Sequence, residues 1–122
     1  MAGGNRERGK RFEREARDAV RQTWRMEGCV RSAQVDGRYG ADLHGTGRLH
    51  IEAKVRRSLS VMEFLEQAVR DIGSQGSGKI PVVVMKEDKG PILVMLRMDD
   101  TPEFAREILR SIEGAKPCTH SC

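Results

Sequence analysis

The chain predicts an α/β domain with a mixed central sheet flanked by helices, and three observations carry that expectation. Segments of helical and extended patterning follow in the order helix, three strands, helix, two strands, helix. Residues 80–85 form a continuous apolar run, as in a strand covered on both faces. Finally, 122 residues are enough for one modest core and too few for two. A single domain over residues 1–116 is expected, with residues 117–122 as a disordered tail.

A first helix is expected over about residues 7–27. There Phe12, Ala16, Ala19, Val20 and Thr23 recur at helical spacing, with Trp24 at the margin. Glu13 falls inside that apolar arc, whereas Glu15 lies to one side. A carboxylate in a core-facing stripe costs free energy unless something binds it; the alternative is a side chain snorkelling from the stripe margin. Residues 29–35 read as the first strand. The glycine-bracketed turn Gly37-Arg38-Tyr39-Gly40 leads to a second strand, 41–44. Gly45-Thr46-Gly47 reverses the chain into a third, 48–55.

Ser60 and Glu63 have capping-box spacing and open a helix to about Ile72, with Met62, Leu65, Val69 and Ile72 facing inward. Residues 73–78, rich in glycine and serine, end it as a flexible loop. After the strand at 80–85, Asp88-Lys89-Gly90-Pro91 turns into a second covered apolar run, 92–98. Thr101 caps a last helix, with Pro102 at its first position and Gly114 beyond its end.

Composition narrows the function classes. Hydrophobic residues make up 38% and charged residues 33%, as in a globular protein with a heavily charged surface. No apolar run approaches the roughly 20 residues that span a bilayer. The first residues lack the apolar stretch of a secretory signal, so a cytoplasmic protein is expected. Cys29, Cys118 and Cys122 are too few and too widely spaced for a disulfide framework. The Cys118-His120-Cys122 tail offers three potential zinc ligands where a tetrahedral site takes four. The formal charge is +4, and all of the excess lies in residues 1–31, with nine Lys/Arg against five Asp/Glu. A polyanion partner is the direct use of such a segment; a solvated helix is the plain alternative.

The chemistry concentrates on Asp42 and on Glu52-Ala53-Lys54. In a strand, Glu52 and Lys54 share one face while Ile51, Ala53 and Val55 take the other. Mg²⁺ takes oxygen ligands and keeps several waters. Asp42 and Glu52 can supply carboxylates, and the Ala53 carbonyl a backbone oxygen. A metal so held polarises a scissile phosphate and lowers the pKa of an attacking water. The Lys54 ammonium can orient that water or neutralise the transition state. Glu13 could ligate through water or hold a second ion. Spacing alone is weakly specific, since a Glu and a Lys on one strand are usually a solvent-facing pair.

In this order, αβββαβ with Asp42, Glu52-Ala53-Lys54 and helical Glu13, the chain resembles the PD-(D/E)xK nuclease superfamily, which implies a restriction-endonuclease-like core. Ala41 replaces the proline usual before the aspartate. Within that superfamily the chain looks like the archaeal-type Holliday junction resolvases and their phage relatives. Four segments carry the likeness: Gly9-Lys10-Arg11-Phe12-Glu13-Arg14-Glu15, Arg31-Ser32-Ala33, Ile51-Glu52-Ala53-Lys54-Val55, and Ile80-Pro81-Val82-Val83-Val84-Met85-Lys86. The resemblance implies a Mg²⁺-dependent (or Mn²⁺-dependent) endonuclease of DNA recombination and repair. Such an enzyme acts as a homodimer and resolves four-way junctions by paired nicks. Carried over by position, Glu13, Asp42, Glu52 and Lys54 form the catalytic set, with Lys10, Arg11 and Arg31 on phosphates.

Further residues are open to two readings. Arg56 and Arg57 could grip DNA backbone or simply form a charged loop. Ser32 could touch a phosphate, or be an ordinary strand serine. Gln67 could lie beside the site or be exposed, and His50 shares the face of Glu52 without being counted in the site. The apolar runs 80–85 and 92–98 with the last helix exceed what one small core must bury, and six methionines add adaptable apolar surface. A homodimer follows as the expectation, its two-fold axis matching a two-fold substrate. Two other readings compete: a phage or mobile-element nuclease that nicks duplex or other branched DNA, and a catalytically silent DNA-binding module.

Overall fold

A computed structural model describes residues 2–32, 41–57, 60–75 and 78–115, with side chains from residue 6 in the first helix and as far as residue 73 in the second. The elements follow as α1 (Ala2–Thr23), β1 (Val30–Arg31), β2 (Leu43–His44), β3 (Leu49–Arg56), α2 (Val61–Gln75), β4 (Ile80–Glu87), β5 (Leu93–Met95) and α3 (Thr101–Gly114). A 3₁₀ turn at Met98–Asp100 leads into α3. The strands lie in sequence order across one sheet. β1, β2 and β3 are antiparallel neighbours, β3 and β4 are parallel, and β4 and β5 are antiparallel. The sheet is therefore mixed, as expected, and the parallel step is the one that α2 bridges.

Strand alternation divides the core into two layers. Leu49, Ile51 and Val55 of β3, with Ile80, Val82 and Val84 of β4, pack against Phe12, Ala16 and Val20 of α1, and Trp24, Phe104 and Ile108 join that cluster. Val83 and Met85 face the other way, against Phe64 and Leu65 of α2. The same alternation turns His50, Glu52 and Lys54 toward the α2 layer. The register runs from Leu49↔Ile80 to Arg56↔Glu87, eight pairs, so Glu52 lies opposite Val83 near mid-sheet.

The start of β3 is set by a turn that only glycine fits. Gly45 (φ 77°) and Gly47 (φ 59°) are both left-handed. A Cβ on Gly47 would run into the Glu107 carboxylate. Between them, buried Thr46 donates its hydroxyl to the Leu49 carbonyl at 2.8 Å and its own carbonyl accepts the Leu49 amide at 3.0 Å. Glu107, buried on α3, accepts the Arg48 amide at 2.8 Å, which ties the last helix to this turn. α3 is held at its other contact by the Trp24–Phe104 edge-to-face pair (5.4 Å) and by the Ser111 hydroxyl, which donates to the Trp24 carbonyl at 2.6 Å.

Several boundaries and faces differ from expectation. α1 begins earlier than residue 7 and stops at Thr23; Arg25, at φ 57°, breaks the helical path. On α2 the buried residues are Phe64, Leu65 and Ala68, while Met62 is 59% and Val69 36% exposed. The inward stripe is rotated from the expected 62-65-69-72 set because Phe64 brings the largest apolar area and Ala68 allows close approach to the sheet. α2 also continues to Gln75, past Ile72. The 92–98 run is not a second covered strand: β5 spans three residues at the sheet edge, with Leu93 44% and Met98 81% exposed. An edge strand has one sheet neighbour, and only part of this run, Ile92 and Met95, packs against the two core clusters. At α3 the cap is Asp100; Thr101 is the first helical residue and its hydroxyl donates back to the Met98 carbonyl. Gly114 is within the helix, and Ala115 caps it. The Gly37–Gly40 turn, residues 33–35 of the expected first strand and the Cys118-His120-Cys122 tail lie outside the described residues.

Candidate active site

Asp42 and Glu52 meet because β2 and β3 form a tight antiparallel pair. The Asp42 amide donates to the Ile51 carbonyl at 2.9 Å, and the Ala53 amide donates to Asp42 Oδ2 at 2.8 Å. Leu43 is buried in the α1 layer, so its neighbour Asp42 turns to the face that carries Glu52 and Lys54. Glu52 is 2% exposed. The two carboxyl groups act on each other, and both pKa values are pushed up to about 7. Burial is the first cause in each case. For Asp42 the Glu52 charge adds to it, while the Ala53 amide and Lys54 pull the other way. For Glu52, a hydrogen bond with Asp42 and the Lys54 charge favour ionisation, while Asp71 opposes it. Two desolvated carboxyls facing each other with one partial counter-charge form a pair that a divalent cation would ionise and stabilise.

Lys54 is half-buried on the same face, its ammonium 5.9 Å from the centre of the Phe64 ring, with the Arg56 guanidinium 5.5 Å from the same ring. Phe64 thus steers both cations toward the α2 side. They line a groove of about 400 Å³ with Ser60, Glu63, Glu66, Gln67 and Arg70. Gln67, open to two readings from sequence, lies half-buried in this groove beside Lys54.

Glu13 is brought against Arg31: the guanidinium Nε donates to Glu13 Oε1 at 3.2 Å. Both belong to the α1 side of the molecule, and this ion pair answers the cost of a carboxylate in the apolar stripe. The Arg31 side chain is only 11% exposed. Ser32 is engaged internally; its hydroxyl donates to the Ala41 carbonyl and lies 3.1 Å from His44 Nε2. Lys10, Arg11, Arg56 and Arg57 are exposed. Arg11 lines a second groove of about 220 Å³ with Arg8, Lys86 and Lys89, where Glu15 and Asp88 pair with Lys86 and Arg8. The two grooves flank the C-terminal end of β3, because Lys54 and Arg56 point to one face and Val55 to the other.

Two residues outside the expected set stand beside Glu52. His50 Nε2 is 3.0 Å from Glu52 Oε1, with both side chains almost fully buried. Asp71, from α2, completes a trio whose ligand atoms all lie within 4.8 Å of one another. Burial lowers the His50 pKa, because desolvation disfavours the charged imidazolium. His50 was visible in the sequence as a face-mate of Glu52. Asp71 was legible only with the correct α2 stripe, as the residue one turn beyond Ala68 and two beyond Phe64.

The donor set is carboxylate-rich and suits a hard divalent cation, with Asp42 and Glu52 as its first candidates. When bound, such a metal supplies phosphate polarisation and an activated water. A mixed sheet flanked by helices, with paired carboxylates on adjoining strands and a lysine two residues after the second, defines the PD-(D/E)xK class of restriction-endonuclease-like nucleases. Within that class, residues 4–113 match the model of the family described as phage putative PDDEXK endonuclease, and the chain belongs to that family. No curated protein and no solved structure matches the chain. Among the described residues, no helix is long and apolar enough to cross a membrane.

Proposed function

We propose that the protein is a divalent-metal-dependent DNA endonuclease whose metal is held by Asp42 and Glu52. The observation that carries this reading is the desolvated Asp42–Glu52 pair, whose counter-charge among the described residues is Lys54, a residue that also lines the Arg56 groove. Lys54 neutralises charge building on the phosphate being attacked, and Phe64 keeps its ammonium on that face. Arg56, Arg57, Lys10 and Arg11 take flanking phosphates. Glu13, with Arg31, supports the α1 side of the site. Mg²⁺ is the physiological metal in this reading, with Mn²⁺ able to replace it.

Four-way junctions are the proposed substrate, cut by paired symmetric nicks from a homodimer. Support comes from the four resolvase-like segments and from exposed apolar residues on β5 and α3, among them Val94, Leu109 and Ile112. The family match favours a second reading, a phage nuclease that nicks duplex or other branched DNA. A labelled four-way junction and a linear duplex of the same sequence, each incubated with and without Mg²⁺, separate the two. Symmetric, ligatable nicks in the junction alone support resolution. Equal cutting of both supports the phage-nuclease reading, and binding without cutting would leave only a silent DNA-binding module.

A further inference from the structure

His50 has no place in the chemistry above, yet it occupies a costly position. Its strand partner across the sheet is Pro81, and the next residues on that face, Val83 and Met85, are apolar. An apolar side chain at position 50 would fill the same space without burying a polar ring. The ring instead places Nε2 at 3.0 Å from Glu52 Oε1, where both groups are nearly inaccessible. It stands on the side of Glu52 away from Lys54, and Asp71 closes the α2 side.

We propose that His50 is a positioning residue: its hydrogen bond fixes the rotation of the Glu52 carboxylate, so that Glu52, with Asp42, would be held ready to take a divalent metal. This rests on the nuclease reading. A glutamate on a strand has several rotamers, and a ligand held in one of them binds a metal without first losing that freedom. Asp71, reached from the crossover helix, limits the remaining movement of the carboxylate and links α2 to the site.

The test uses the full chain and Mn²⁺ as probe, followed by paramagnetic resonance and by calorimetry, beside DNA cleavage and thermal unfolding. His50→Gln keeps a nitrogen near Nε2 and is expected to bind Mn²⁺ within about threefold of wild type. His50→Leu keeps the volume and loses the bond; Mn²⁺ affinity and kcat should fall about tenfold to a hundredfold, with KM for DNA unchanged and thermal stability retained. If the Leu variant fails to fold, His50→Asn, too short to reach Glu52, should give the same loss. Wild-type Mn²⁺ affinity in His50→Leu or His50→Asn overturns the proposal. So does imidazole nitrogen coupling to Mn²⁺ in the wild type, which would make His50 a ligand. Wild-type protein that neither binds Mn²⁺ nor cuts DNA overturns the nuclease reading itself, and the positioning role falls with it.

Discussion

At the scale of single residues, the site is a balance of two carboxyls that burial keeps from ionising. In the metal-free protein Asp42 and Glu52 stand near pH 7, above their ordinary values of 3.8 and 4.5. Between those values and about pH 7 the native pair holds protons that the unfolded chain has released, so stability falls as pH rises through that window. Below about pH 4 both states are protonated and the contribution is fully present. Urea unfolding in EDTA should therefore give a lower midpoint at pH 8 than at pH 5, and added Mg²⁺ should restore the loss at pH 8. Asp42→Asn should flatten the pH dependence by removing one member of the pair; an unchanged slope would mean the pair is not the source. Asp42, Glu52 and Lys54 were legible in the sequence because strand alternation and a short hairpin fix their geometry. The Glu13–Arg31 ion pair was not, since nothing in helical spacing names the arginine, 18 residues on, that meets Glu13.

At the scale of elements, the turn before β3 and the face of α2 decide where the site lies. Glu107→Ala removes the charged acceptor of the part-buried Arg48 amide and should cost about 1–3 kcal/mol. Glu107→Gln keeps an acceptor and should cost much less, because the Arg110 partner is 70% exposed; chemical denaturation of both variants measures this. Equal losses would show that charge, and not the amide bond, anchors α3. Strand β4 was legible as a continuous apolar run. The α2 face was misjudged because residues 61–72 hold two overlapping apolar stripes, and only the sheet selects the one with Phe64 and Ala68. The 92–98 run has strand-like composition, but it finds only one neighbouring strand and pairs for three residues.

At the scale of the whole molecule, positive charge gathers around the C-terminal end of β3 in two grooves, one on each side of the sheet. DNA binding should weaken steeply with salt, and Arg56→Ala should reduce the slope of log K against log [salt] by about one. A slope equal to wild type would place the DNA elsewhere. Apolar β5 and α3 residues left open on one chain are the surface a second copy would cover, and sedimentation at micromolar concentration should report a dimer. A monomer there would remove the two-fold basis for paired nicks.

The most direct test of the site is cleavage of labelled DNA in Mg²⁺ by wild type and by Glu52→Gln, compared at equal DNA occupancy. Wild type is expected to cut, and the variant to bind DNA as well while cutting about 10²-fold more slowly or not at all. Cutting by Glu52→Gln at the wild-type rate would contradict the assignment of the Asp42–Glu52 pair as the catalytic centre.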